Sequence, residues 1–128
     1  SHLKNWPDLR EDPNQPKQPN KPKHCAEMWC HGAPGMALAR FKAYQQTNDP
    51  SFFEEVNHAL ETTYNSVARA LQNPQFSNFS LCHGLAGNGD ILLMAGTILN
   101  NPSCLQLAPL PRAHRAIDYF QSLSCCFW

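Results

Sequence analysis

Residues 28–35 read MWCHGAPG, and residues 80–87 read SLCHGLAG. Both run apolar residue, Cys, His, Gly, two residues, Gly. The cysteines, Cys30 and Cys82, stand 52 positions apart. A phrase repeated at such a period marks a repeated supersecondary unit, and the helical patterns beside it make that unit a hairpin of helices. Each repeat reads as a Gly-rich turn, an inner helix, a short loop and an outer amphipathic helix. Gly32, Gly35, Gly84 and Gly87 suit a tight turn and close backbone approach just before each inner helix.

Working outward, MALARFKAYQQTN (36–48) follows the first phrase. Met36, Ala39 and Ala43, with Phe41 and Tyr44 one position round, give a short helix an apolar side, and the pattern predicts a helix near 34–46. The next stretch, NDPSFFEEVNHALETTYNSVARALQN (48–73), carries strong start signals. Asp49 can cap, Pro50 suits the first helical position, and Glu54 and Glu55 favour the positive end of the helix dipole. Phe52, Val56, Leu60, Thr63, Val67 and Leu71 recur at helical spacing, and Asn73-Pro74 stops the run, so a helix is predicted over 50–72.

The second phrase leads into DILLMAGTILN (90–100), apolar on every side, which predicts a buried inner helix near 88–100 ended by Asn101-Pro102. Leu92, Leu93 and Met94 read as core. PRAHRAIDYFQSL (111–123) then puts Ala113, Ala116, Ile117, Phe120 and Leu123 on one face, an outer helix near 112–123. The fold class is therefore all-α, part of an (α/α) toroid or barrel, with two helical hairpins in these residues.

Composition limits the function classes. The chain has 128 residues, enough for one small domain, with ten basic and ten acidic side chains. That balance lacks the basic footprint of a nucleic-acid binder. No run of about 18 apolar residues suggests a membrane span, and no signal peptide opens the sequence, so a cytoplasmic location is expected. There, cysteines more often serve metals or catalysis than disulfides. Six cysteines allow 15 pairings, but their irregular spacing and the helical content argue against a disulfide framework. Residues 1–24 stand apart: they hold Pro7, Pro13, Pro16, Pro19 and Pro22 and five of the ten basic residues. Prolines at that density cannot hold a helix, so 1–24 reads as an extended or disordered segment, a linker or a binding strip, ahead of a helical domain over 25–128.

If equivalent turns of neighbouring hairpins meet at one end of a toroid, Cys30, Cys82 and His83 converge. Two thiolates and an imidazole would fill three zinc positions, and three protein ligands with a fourth position left for water or substrate is the arrangement of a catalytic zinc. The plainer reading keeps the cysteines as small buried hydrophobes and the histidines as partners for turn hydrogen bonds. No compact C-x-x-C spacing decides between them. His58 and His114, within amphipathic helices, read as surface residues, and Trp29 reads as packing or as the lining of a peptide cleft.

WCHGAPG followed by LCHGLAGNGD resembles the lanthionine synthetase cyclase, or LanC-like, family. The upstream NWPDLR (5–10) resembles the cyclase domain of class II (LanM-type) lanthipeptide synthetases. The resemblance implies a barrel of inner and outer helices with zinc (Zn2+) at its mouth, held by Cys30, Cys82 and His83. It implies a cyclase activity on a dehydrated precursor peptide: a substrate cysteine thiol adds to dehydroalanine or dehydrobutyrine and closes a thioether ring. His31 falls where the family has Tyr or His close to the metal, for proton handling or a structural hydrogen bond in the turn. The chain departs from the family in length. The hairpins that carry a further histidine and aspartate near the zinc, and the turn that closes the barrel, are not in it; Ala26 stands where one branch has arginine. A fragment is therefore expected, a poor cyclase alone, whose partners would be the precursor peptide and the remainder of the synthetase. The alternative is a truncated, non-catalytic zinc-binding remnant that acts as a peptide- or partner-binding module.

Overall fold

The computed structural model describes residues 5–9, 23–73 and 78–108. The order is a small antiparallel hairpin, β1 (Glu27–Met28) and β2 (His31–Gly32), then α1 (Ala33–Thr47), α2 (Pro50–Gln72), α3 (Leu85–Ile98) and α4 (Pro102–Leu107). The described fold is thus helical apart from two strands of two residues each, as the periodicity predicts.

Helices α1 and α2 form a tight antiparallel pair, because only Asn48 and Asp49 join them. Asn48 takes the left-handed conformation (φ 54°) that Asn tolerates, and its N–H donates to the Tyr44 carbonyl. Asp49 caps α2: its Oδ1 accepts from the Ser51 N–H at 2.9 Å, and Pro50 sits where a helix needs no N–H donor. On α2 the buried residues are Val56, Ala59, Leu60, Thr63 and Val67, one stripe at intervals of three and four. Thr63 is fully buried, and its hydroxyl is satisfied by donating to the Ala59 carbonyl at 2.8 Å.

Two core clusters lie along this stripe. The first joins Ala33 and Ala37 of α1, Val56, Ala59 and Leu60 of α2, and Ile91 and Ala95 of α3, with Trp6 packed against it. The second joins Val67, Leu85, Leu92, Cys104 and Ala108. Helices α2 and α3 contribute to both, so the clusters share their scaffold. Burying Val56 stabilises by about 2 kcal/mol at ~0.8 kcal/mol per methyl-sized group plus a cavity term.

Helix α1 is capped from a distance. Gly32 at its N-cap offers no side chain, so the Asn5 Oδ1 accepts from the Ala33 N–H at 2.8 Å instead. The Asn5 Nδ2 also donates to the Ala26 carbonyl at 3.0 Å. Gly32 itself has φ +118°, and a Cβ there would lie 1.9 Å from the Ala26 oxygen. Only glycine fits such a site.

The outlines of α1 and α2 agree with the sequence pattern, while α3 is displaced. It begins at Leu85 and ends at Ile98 rather than covering 88–100. Gly35 and Gly87 are thus inside the first helical turns, not ahead of them as the spacing suggests. Each lets a carbonyl of the preceding turn press against the helix: a Cβ at Gly35 would stand 2.1 Å from the Trp29 oxygen, and one at Gly87 1.8 Å from the Leu81 oxygen. Asn101-Pro102 does not end α3, which stops four residues earlier at Ile98; Pro102 instead opens α4, with the Asn101 side chain as cap. The predicted helix at 112–123, His114, and residues 10–22 of the Pro-rich segment lie outside the described residues.

Candidate metal centre

The hairpin β1–β2 reverses through Trp29 and Cys30, which puts Cys30 at its tip. Its register, Glu27 opposite Gly32 and Met28 opposite His31, leads the chain straight into α1. Cys82 and His83 stand in the turn ahead of α3. Asn78 and Ser80 shape that turn: the Ser80 N–H donates to Asn78 Oδ1 at 2.8 Å, the Leu85 N–H to the Asn78 carbonyl at 2.7 Å, and the His83 N–H to Ser80 Oγ at 3.2 Å. Such side-chain-to-backbone bonds are how Asn and Ser hold a turn.

The two repeated turns meet. The Cys30 N–H donates to the Cys82 carbonyl at 3.3 Å. A thiol sulfur from each of Cys30 and Cys82 and a ring nitrogen of His83 all lie within 4.8 Å of one another. The Cys82 Sγ stands 3.8 Å from His83 Nε2. Cys30 and His83 are exposed and Cys82 is half-buried, so the cluster faces solvent.

Electrostatics say what this cluster lacks by itself. The Cys82 thiol is pushed above the ordinary thiol range, first by its hydrogen bond with the Cys30 thiol, then by desolvation, then by the charge of a Cys30 thiolate. Two neighbouring thiolates repel; a cation between them removes the penalty. The donor set, two thiols and an imidazole, is one that zinc favours. Bonds of about 2.0–2.3 Å in a tetrahedron place ligand atoms roughly 3.5–3.8 Å apart, close to the Cys82–His83 separation. The residues present therefore fit a zinc ion.

Other candidates fall outside the cluster. His31 is on β2, and its Nε2 lies 3.6 Å from Asp8 Oδ2, near enough for an ion pair when protonated but too long for a hydrogen bond. Cys25 sits against the Lys23 carbonyl, with its Sγ 3.8 Å away, and Cys104 is buried in the second core cluster. His58 is exposed on α2, as its place on an amphipathic helix suggests. Trp29 is 37% exposed beside Cys30, and its Cβ would be 3.3 Å from a Cβ at Gly87, so it packs the two turns together.

The sequence pattern gives no sign of the asparagines. Asn5 and Asn88 each bridge segments by side-chain hydrogen bonds, the latter by donating from Nδ2 to the Glu27 carbonyl at 2.8 Å, while Asn78 shapes its own turn. An amide inside the apolar run of α3 is the one clue of this kind that the sequence offers. No described helix is long and apolar enough to cross a membrane. The family model described as lanthionine synthetase C-like protein matches residues 1–123. No solved structure matches the chain.

Proposed function

The chain belongs to the lanthionine synthetase C-like family, and from that premise we propose that it carries the zinc site of a lanthipeptide cyclase of the class II (LanM) type. The observation that carries this reading is the convergence of Cys30, Cys82 and His83 within 4.8 Å on a solvent-facing surface. The substrate class is a dehydrated precursor peptide, and the reaction is addition of its cysteine thiol to dehydroalanine or dehydrobutyrine. One C–S bond forms at the β-carbon, the alkene π electrons move to the α-carbon, and that carbon takes a proton. Zinc held by Cys30, Cys82 and His83 would lower the pKa of the substrate thiol and hold it as nucleophile.

The chain's own residues do the rest. Cys30 and Cys82 give up their protons when the metal binds, which the raised Cys82 thiol makes pH-dependent. Exposure of Cys30 and His83 leaves a side of the cluster open to a peptide. His31, next to Cys30, is the proposed handler of the proton for the α-carbon. Its Nε2 lies 3.6 Å from Asp8 Oδ2, near enough for the carboxylate to balance the charge of a protonated ring. The Asn5–Leu9 strip that brings Asp8 there also caps α1, so the strip and the cysteine turn are placed together. The reading places the protein in the cytoplasm, where free thiols persist.

Metal analysis coupled to a cyclisation assay tests this. Purified chain should hold one zinc, and the zinc-loaded chain, expected to be a poor cyclase alone, should consume free thiols of a dehydrated peptide only slowly. Full zinc content in Cys82→Ala would overturn the ligand assignment. Zinc binding with an unchanged thiol count would favour a peptide-binding module without catalysis.

A further inference from the structure

Asn88 is out of place by packing alone. It lies in the first turns of α3, between Gly87 and Gly89, and is only 5% exposed. Its Oδ1 is buried with no hydrogen-bond partner among the described residues. A buried amide with an unsatisfied carbonyl costs stability that an apolar side chain of the same size would not. What the amide obtains is one bond across 61 residues of sequence: Nδ2 donates to the Glu27 carbonyl at 2.8 Å. The orientation follows from the partner, since a carbonyl can only accept and the opposite amide placement would set two acceptors against each other.

That bond lands on the hairpin that carries Cys30. Two-residue strands cannot hold a position by themselves, so the tip at Cys30 is placed by what grips the hairpin. From the side of the second motif two bonds do so: Asn88 on Glu27, and the Cys82 carbonyl accepting from the Cys30 N–H. The second is long, at 3.3 Å, and the first is shorter, at 2.8 Å, and partly buried. Glu27 is held on its other side as well, by an ion pair between its carboxylate and Arg69 of α2 at 2.5 Å. The helix that follows Cys82 and His83 therefore reaches back, through one amide, to the strand that leads to Cys30.

We propose that Asn88 is a positioning residue for the Cys30–Cys82–His83 cluster: its amide fixes the Cys30 hairpin against the start of α3 and so sets the separation of the two thiols. The metal-affinity consequence rests on the zinc reading above; the separation of the thiols does not. Asn88 touches none of the three donor atoms and acts through the backbone of Glu27.

The test has two arms on the full chain. In the first, metal-free protein is treated with diamide, and Cys30–Cys82 disulfide formation is followed by peptide mapping. Asn88→Ala and the near-isosteric Asn88→Leu should form it at least about tenfold more slowly than the unaltered chain, since misplacing reacting atoms by about 1 Å costs rates of that order or more. In the second arm, zinc affinity is measured against a chromogenic chelator, and Co2+ is substituted to read the sulfur-to-metal charge-transfer bands. Both variants should bind zinc about 10–100-fold more weakly, as loss of outer-sphere support does elsewhere, and should show weakened thiolate bands. Val56→Ala, a core change in α2 remote from the hairpin, is the control for general loss of stability. The proposal is overturned if the Asn88 variants melt earlier like Val56→Ala yet keep the unaltered disulfide rate. If the unaltered chain binds no zinc while the Asn88 variants still slow the disulfide, the positioning role stands and the metal reading fails.

Discussion

The setting of Cys82 matters for pH. In the metal-free protein the Cys30 thiol, by its hydrogen bond, holds the Cys82 thiol above its ordinary value. Metal binding must displace that proton, so affinity falls as the solution is acidified and continues to climb past the usual thiol pKa of about 8.5. Zinc titrations from pH 6 upward against a competing chelator are expected to show this rise, and a pH-independent affinity would argue against thiolate ligation. Cys82→Ala should lose affinity at least about 100-fold, more than the loss expected for an outer-sphere partner, with Cys30→Ala behaving alike. His31→Phe separates the proton step from metal binding. Zinc content should be unchanged while cyclisation slows by about 100-fold or more, the scale of one positioned acid or base.

Among the elements, the first turn of α3 is the most tightly constrained. In an open helix Gly→Ala stabilises by about 1 kcal/mol. At Gly87 the new Cβ would stand 1.8 Å from the Leu81 carbonyl oxygen, which is backbone next to Cys82. The sign therefore reverses: Gly87→Ala should destabilise by about 3 kcal/mol, the upper part of the overpacking range, and should weaken zinc binding by moving the Cys82 turn. Calorimetry and chelator competition check both. The start of α2 offers a pH test instead. The Ser51 amide N–H and then the Ser51 hydroxyl hold the Asp49 carboxyl below its ordinary value. A depressed folded-state pKa contributes stability that is complete above the unfolded value, about 3.9, and is lost as pH falls through the folded one. Asp49→Ala should therefore melt below the unaltered protein at pH 7, and the gap should close at pH 2–3.

At the scale of the whole molecule, the two core clusters share α2 and α3, so they should not unfold separately. Val56→Ala is expected to cost about 2 kcal/mol. Melting followed by helix signal and by tryptophan fluorescence should shift together, since Trp6 packs on the first cluster while α4 belongs to the second. Two separated transitions would show that the hairpins are independent. The same shared scaffold brings the two turns to one place: α1 starts where the first turn ends, α3 starts where the second ends, and the α1–α2–α3 packing brings those starts near each other.

The sequence by itself determined the helices that its periodicity and punctuation spell out. α2 runs from Pro50 to Gln72 because Asp49-Pro50 and Asn73 are local signals, read from neighbours within four residues. It also pointed to Cys30 and Cys82, since a Gly-turn phrase repeated with its cysteine is visible without coordinates; that His83 rather than His31 joins them is what the family resemblance implies. Tertiary structure alone decided the rest. The β1–β2 hairpin is too short to carry a period, and it exists because Ala26, Glu27 and Cys30 are gripped by Asn5, Asn88 and Cys82, residues 21 to 61 positions away. The start of α3, three residues ahead of the expected one, has the same origin. A glycine in a pattern says only that a side chain is absent; that Gly87 lies within the helix, with the Leu81 oxygen against it, follows from packing between segments that the linear order keeps apart.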